Sequence, residues 1–237
     1  DPKNIKVVSV MPCTAKKYDV TKPEEKINGM DPIDYVLTTR ELARLLQKNK
    51  VALKEDMEQV AADDPFGVYT GAGTIFGATG GVTEAATRTA YWLITGKNLE
   101  NVNCENVRGI VGLKKATVTI NGVTLKVGIA NGMENAKIIM DDLAKDPKAY
   151  DYIEIMACPG GCIGGGGQPL PVNDEIRKKR AAGLYADDCS KKIRFAHESP
   201  AVKEVYDDYF KGDEHKIHAI LHTSYNKKDK SKIEGQC

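Results

Sequence analysis

Three cysteines, Cys13, Cys158 and Cys162, carry the chemistry that stands out in this sequence. Cys158 and Cys162 bracket Pro-Gly-Gly within EIMACPGGCIGGGGQP (Glu154–Pro169), where four consecutive glycines follow. Cys13 lies in MPCTAKKYD (Met11–Asp19). Thiolates are soft ligands that select zinc, copper(I) or iron–sulfur clusters. Structural zinc sites normally add a second Cys or His pair, but His197, His215, His218 and His222 all lie far downstream. A 4Fe–4S cluster is bulkier, and its sulfides accept backbone N–H bonds that tune its potential. Gly164–Gly167 is expected to expose successive N–H groups as an anion-binding nest, which suits a cluster better than a zinc knuckle. The plain alternative is a pair of core cysteines beside a flexible turn, since a glycine run weakens any regular element. Cys104, Cys189 and Cys237 sit in polar, loop-like contexts and read as incidental thiols.

The elements that must position these thiols follow from local patterns. Ile5–Val10 is a β-branched run expected to form a buried strand. Pro12 ends its pairing and leaves Cys13 just past the carboxyl end. Thr38-Thr39-Arg40-Glu41 is a capping box, opening a helix with Leu42, Leu45 and Leu46 on one face. After the glycine-punctuated Asp64–Gly81, a helix begins near Val82, runs through Ala86, Ala90, Leu93 and Ile94, and stops at Gly96 and Lys97. Ala116–Ile120 and Val123–Ile129 flank Asn121-Gly122, a strong hairpin signal. A helix over Glu134–Leu143 and a strand over Tyr152–Met156 then predict a right-handed crossover onto a parallel pair. Cys158 thus lies beyond a strand's carboxyl end, as Cys13 does, and open α/β sheets build their sites there. The two motifs are expected to meet. Asp174–Tyr185 and Pro200–Phe210 read as amphipathic helices, the latter with Ser199 as N-cap and Pro200 at its first position. The polar tail, 226–237, is expected to be flexible.

Composition narrows the function classes. With 34 basic and 33 acidic side chains the net charge is +1, which indicates neither a nucleic-acid footprint nor an anionic-membrane patch. No apolar run approaches the ~20 residues of a membrane span, and DPKNIKVVSV has no signal-peptide core. A cytoplasmic location is expected. Six cysteines in such a chain suggest metal or redox work rather than a disulfide scaffold. The start at Asp1 reads as a piece of something longer.

MPCTAKKYD and EIMACPGGCIGGGGQP closely resemble two of the three signature motifs of the iron-only (FeFe) hydrogenase large subunit. FGATGGVTEAATRTAYWLITG (Phe76–Gly96) and LHTSY (Leu221–Tyr225) are also similar to that family, so the resemblance covers essentially the whole chain. It implies an α/β fold, with mixed and parallel sheets flanked by helices, and reversible oxidation of H2 to protons and electrons. The implied cofactor is the H-cluster: a 4Fe–4S cubane joined to a di-iron subcluster that carries CO, cyanide and a dithiolate. Carried over by motif, Cys13 and Cys158 ligate the cubane, while Cys162 ligates it and bridges to the di-iron unit. Lys16 matches the lysine that hydrogen-bonds an iron-bound cyanide. Met11 and Met156 match methionines that pack round the di-iron unit, and Phe76 and Gly77 line the same pocket.

Two departures from the family pattern matter. The earliest motif, which supplies the remaining cubane cysteine and a proton-transferring cysteine, is absent. The chain therefore reads, over 1–237, as a partial catalytic domain lacking its N-terminal portion. It is expected to be inactive alone and unable to hold a complete H-cluster. The family's glutamate six residues after the first cysteine is Asp19 here, which puts its part in a proton route in doubt. The implied partners are the remaining N-terminal part, and ferredoxin or an NAD-linked electron-transfer subunit. The alternative is a non-catalytic hydrogenase-like iron–sulfur protein of the sensory or cluster-assembly type.

Overall fold

Asn121 and Gly122 both take positive φ, 49° and 82°, the turn geometry that suits the twist of a tight hairpin. They fold β3 (Leu113–Ile120) antiparallel onto β4 (Val123–Asn131). Gly132 starts the helix Met133–Lys145, which returns the chain to β5 (Tyr152–Met156), parallel to β4 with Val127 opposite Tyr152 and Asn131 opposite Met156. The result is a three-stranded mixed sheet in the order β3-β4-β5. The computed structural model that gives this architecture describes all residues except 28, 55, 56, 59, 64–66 and 223–237. The expected tail, Cys237, the end of the LHTSY motif and the first residues of the glycine-punctuated segment lie outside the described residues.

A second, smaller sheet pairs β1 (Val8–Met11) in parallel with β2 (Tyr35–Thr38). Its helices are α1 (Lys16–Asp19) and α2 (Thr39–Lys48). The capping box at α2 is complete: Thr38 Oγ1 accepts the Glu41 N–H at 3.1 Å and Glu41 Oε2 accepts the Thr38 N–H at 2.8 Å. Between the sheets come α3 (Gly71–Thr74) and α4 (Gly81–Thr95), the latter ended by Gly96 at φ 69°. With these numbered, Met133–Lys145 is α5, and α6 (Asp174–Ser190) runs five residues beyond its expected end. Ser199 caps α7 (Pro200–Glu204) as expected. The turn then widens into a π-helix over Val205–Phe210, where one continuous helix was expected, before α8 (Glu214–Leu221).

The main core lies under the larger sheet, where Val107, Val127 and Ile129 are buried against Ala116, Val118 and Tyr152. A second cluster joins Ala78, Ile163 and Ala181. The expectation of a buried first strand is corrected: Val8 and Val10 remain 52% and 45% exposed. Parallel strands are normally covered on both faces, but β1 pairs only with β2 among the described residues, and its outward side chains find no covering layer there. None of the described helices is long and apolar enough to cross a membrane.

Candidate metal centre

The two cysteine loops do meet, and the glycine run is what lets them. Gly167 donates its N–H to the Pro12 carbonyl at 3.0 Å, next to Cys13. A Cβ on Gly165 would lie 2.1 Å from that carbonyl oxygen, and one on Gly167 would lie 2.9 Å from the Cys13 nitrogen. From the far side Arg40 pins the run, its N–H on the Gly167 carbonyl at 3.1 Å and its guanidinium on the Gly166 carbonyl at 2.6 Å. The nest expected over Gly164–Gly167 is therefore corrected. The N–H groups of Gly164, Gly165 and Gly167 already bond the carbonyls of Gly161, Cys162 and Pro12, and none of the four glycines takes the left-handed conformation that a nest requires.

Positive φ is found instead at Gly160 (79°) and Gly161 (94°), inside the Cys158–Cys162 turn. Only glycine adopts this conformation without strain. A Cβ on Gly161 would come within 2.8 Å of Met156 Sδ and of the Thr79 nitrogen, and 3.0 Å from the Gly77 carbonyl oxygen. Ile163 plunges into the core beside Ala78 and Ala181 while its neighbour Cys162 faces solvent. Arg180 ties the loop's far side, donating to the Ile163 and Pro169 carbonyls at 2.8 Å each.

The loop packing partly desolvates the Cys162 thiol and pushes its pKa up, and Cys158 and Cys13 add to that direction while Lys16 opposes it. A thiol of raised pKa stays protonated at neutral pH until a metal displaces its proton. Among the described residues no three His, Cys, Asp or Glu side chains converge on a single-ion site, whose thiolates would stand about 4 Å apart. The donor set fits a larger cluster better than a zinc ion. The three free thiols are soft ligands, and the glycine run lets the backbone of their loops come together.

Met11, Lys16 and Asp19 share a small cavity of about 180 Å³ with Ser9, Pro32 and Ile33. Lys16 donates to Asp19 at 2.5 Å, and Lys22 holds the other carboxylate oxygen. These two ammonium groups, Lys16 first, hold the Asp19 carboxyl below its usual range. Phe76 lies elsewhere. The turn at Ile75–Gly77 buries Ile75 and aims Phe76 into an apolar groove formed with Tyr69, Val202, Tyr206 and Phe210. Gly77 does stand at the cysteine loop, through its carbonyl beside Gly161.

Buried polar groups around the centre escaped sequence reasoning. Glu154, on β5, accepts the Gly80 N–H at 2.6 Å and both the N–H and hydroxyl of Thr83 at 2.8 Å. It caps α4, whose own N-cap residue is a glycine. A carboxylate among the apolar residues of YIEIM was the available signal. Arg88 is fully buried, and all five of its N–H groups are used, on Glu84, Asp188 and the carbonyls of Val102 and Arg194. Arg108 and Arg194 complete this network from its rim.

An α/β scaffold that gathers three thiols at the carboxyl ends of two strands defines a class of proteins with cysteine-lined loops. The chain belongs to the iron-only hydrogenase family: residues 1–166 match the iron only hydrogenase large subunit, C-terminal domain, and residues 174–228 the iron hydrogenase small subunit. It is 46% identical to the NADP-reducing hydrogenase subunit HndD of Solidesulfovibrio fructosivorans, over 94% of this chain and 38% of that protein. With iron hydrogenase 1 of Clostridium pasteurianum the identity is 43%, over 96% of this chain and 40% of the relative. A probable cytosolic Fe–S cluster assembly factor of Anopheles gambiae is 28% identical over 94% of the chain and 48% of its own length. Among solved structures, a variant of the HydA1 FeFe-hydrogenase from Chlamydomonas reinhardtii superposes with a TM-score of 0.75 at 36% identity, over 94% of this chain and 64% of that one. The chain thus spans less than half the length of the curated relatives named here.

Proposed function

We propose that this chain is the cysteine-bearing part of an iron-only hydrogenase catalytic domain, and that the enzyme it completes interconverts H2 with protons and electrons. The observation that carries this reading is the contact between the Cys13 loop and the Cys158–Cys162 loop, in a chain 46% identical to a named hydrogenase subunit. Cys13, Cys158 and Cys162 would hold the cubane of an H-cluster, with Cys162 bridging to its di-iron part. When bound, the H-cluster would supply the splitting of H2 and the electron relay. The protein's own share is ligation, a small cavity and placed charge. Lys16, anchored by Asp19, sets an ammonium in the cavity beside Met11, where a charge-assisted hydrogen bond to an anionic ligand is stronger than a neutral one. Met156 and Gly77 press on the Gly161 turn and fix the Cys162 side.

Identity with a subunit named NADP-reducing supports a nicotinamide-linked electron partner over ferredoxin; relatives named cytosolic support the cytoplasm, and a relative from Nitratidesulfovibrio vulgaris named periplasmic offers the competing compartment. A second reading, a non-catalytic assembly-type protein, is favoured by the cluster-assembly relatives. Maturation of the chain joined to a hydrogenase N-terminal portion, followed by infrared spectroscopy, separates them. Sharp CO and cyanide bands with sustained hydrogen evolution are expected, and absent from the chain alone. A cluster that forms in the joined protein without those bands would overturn the catalytic reading.

A further inference from the structure

Asn131, the last residue of β4, is 3% exposed, and its side chain is a three-way junction behind the cysteine turn. Its Oδ1 accepts the Gly160 N–H at 2.7 Å. Its Nδ2 donates to the Val111 carbonyl at 2.8 Å and to Thr79 Oγ1 at 3.3 Å. The amide orientation is fixed by its partners, since an N–H can only donate and a carbonyl can only accept. The Gly160 carbonyl is held too, by the Thr79 N–H at 3.0 Å. Both polar groups of Gly160, midway between Cys158 and Cys162, are thus captured by two residues that bond each other.

We infer that Asn131 is a positioning residue that holds the Cys158–Cys162 turn in the shape required for cluster ligation. Among the described residues no other side chain bonds the Gly160 N–H, and a buried donor left without a partner destabilises the arrangement that buries it. Gly160 takes a φ of 79° and Gly161 one of 94°, so the turn is conformationally permissive by itself. The pair of bonds at Gly160 holds the turn from behind, beside the packing of Met156 and Gly77 on Gly161. Asn131 also reaches Val111 and Thr79, so the turn is referred to the segments that lead into β3 and α4 rather than to its own strand alone.

This inference rests on the cluster-binding reading, and its test keeps the two separable. In the 237-residue chain, Asn131→Leu removes all three bonds at similar volume. After anaerobic reconstitution with iron and sulfide, Asn131→Leu is expected to surrender iron to a chelator about tenfold faster than the parent, the factor a lost hydrogen bond of this kind represents. In the metal-free chain, alkylation of half-buried Cys158 should accelerate about tenfold in Asn131→Leu while half-buried Cys104 is unchanged. Equal iron release and equal Cys158 alkylation in parent and Asn131→Leu would overturn the inference, as would Cys158 and Cys104 accelerating together, which marks general unfolding. A parent chain that takes up no cluster overturns the cluster reading, and the Cys158 alkylation rate still decides the role of Asn131.

Discussion

The sheet behind Cys158 and the sheet behind Cys13 present their cysteines alike, just past a parallel strand's carboxyl end, yet are held by different forces. In the larger sheet Val127 is 3% exposed and Ile129 and Ala130 are fully buried, and the strand ends are locked by Asn131 and Glu154. In the smaller one Val8, Val10 and Tyr35 are all about half exposed. Its cysteine is placed by backbone contact with the glycine run and by Arg40. Cys158 and Cys162 are therefore set by burial, and Cys13 by a docked loop. The glycines in EIMACPGGCIGGGGQP serve both sides: Gly160 and Gly161 shape one loop, and Gly164–Gly167 let the other approach.

The comparison breaks most severely at the buried charges that join α4 to α6 on the larger side. Asp188 is fully buried and accepts from Arg88 at 3.0 and 2.8 Å and from Arg194 at 2.6 Å. Asp188→Ala leaves the buried Arg88 guanidinium with Glu84 as its one carboxylate partner and two N–H groups unpaired, and should destabilise the chain by about 3 kcal/mol, read as a shift of the urea midpoint. Burial alone would raise the Asp188 pKa, but Arg88 and Arg194 outweigh it and hold the carboxyl below its ordinary 3.8. A depressed folded-state pKa means that the stabilisation is present in full above the unfolded value and is lost as pH falls below it. The parent should therefore weaken below about pH 4 with a steeper acid limb than Asp188→Ala. A variant with the parent's midpoint would show that the network contributes nothing.

A milder contrast sets the sheets directly against each other. Ile129→Ala opens a cavity in the main core and should lower stability by about 2–5 kcal/mol. Val10→Ala, on a strand whose side chains stay half exposed, should cost less than about 1 kcal/mol. Equal losses in the two variants, by thermal or urea unfolding, would show that β1 is buried by contacts other than those described.

Much of this was legible because the signals were local. Thr38 with Glu41, Asn121-Gly122, Gly96, and Ser199 with Pro200 each fix an element boundary through bonds within a few residues. The meeting of the two cysteine loops was legible, because both follow the carboxyl end of a parallel strand. Burial of β1 was not legible, since an apolar strand says that it can be covered and not what covers it. Neither was the fate of the glycine run, whose N–H groups go to carbonyls as distant in sequence as Pro12. Arg88 and Asp188 lie 100 positions apart, so no periodicity links them. Phe76 follows from a single turn of backbone that sends it away from Gly77.

The convergence of both sheets on one cluster is tested most directly by the low-temperature EPR of the reconstituted, reduced chain with each cysteine changed to serine in turn. One 4Fe–4S signal per chain is expected in the parent, in Cys104→Ser and in Cys189→Ser. It should be lost or strongly altered in Cys158→Ser, in Cys162→Ser and equally in Cys13→Ser, whose thiol comes from the other sheet. An unaltered signal with full iron content in Cys13→Ser would contradict it.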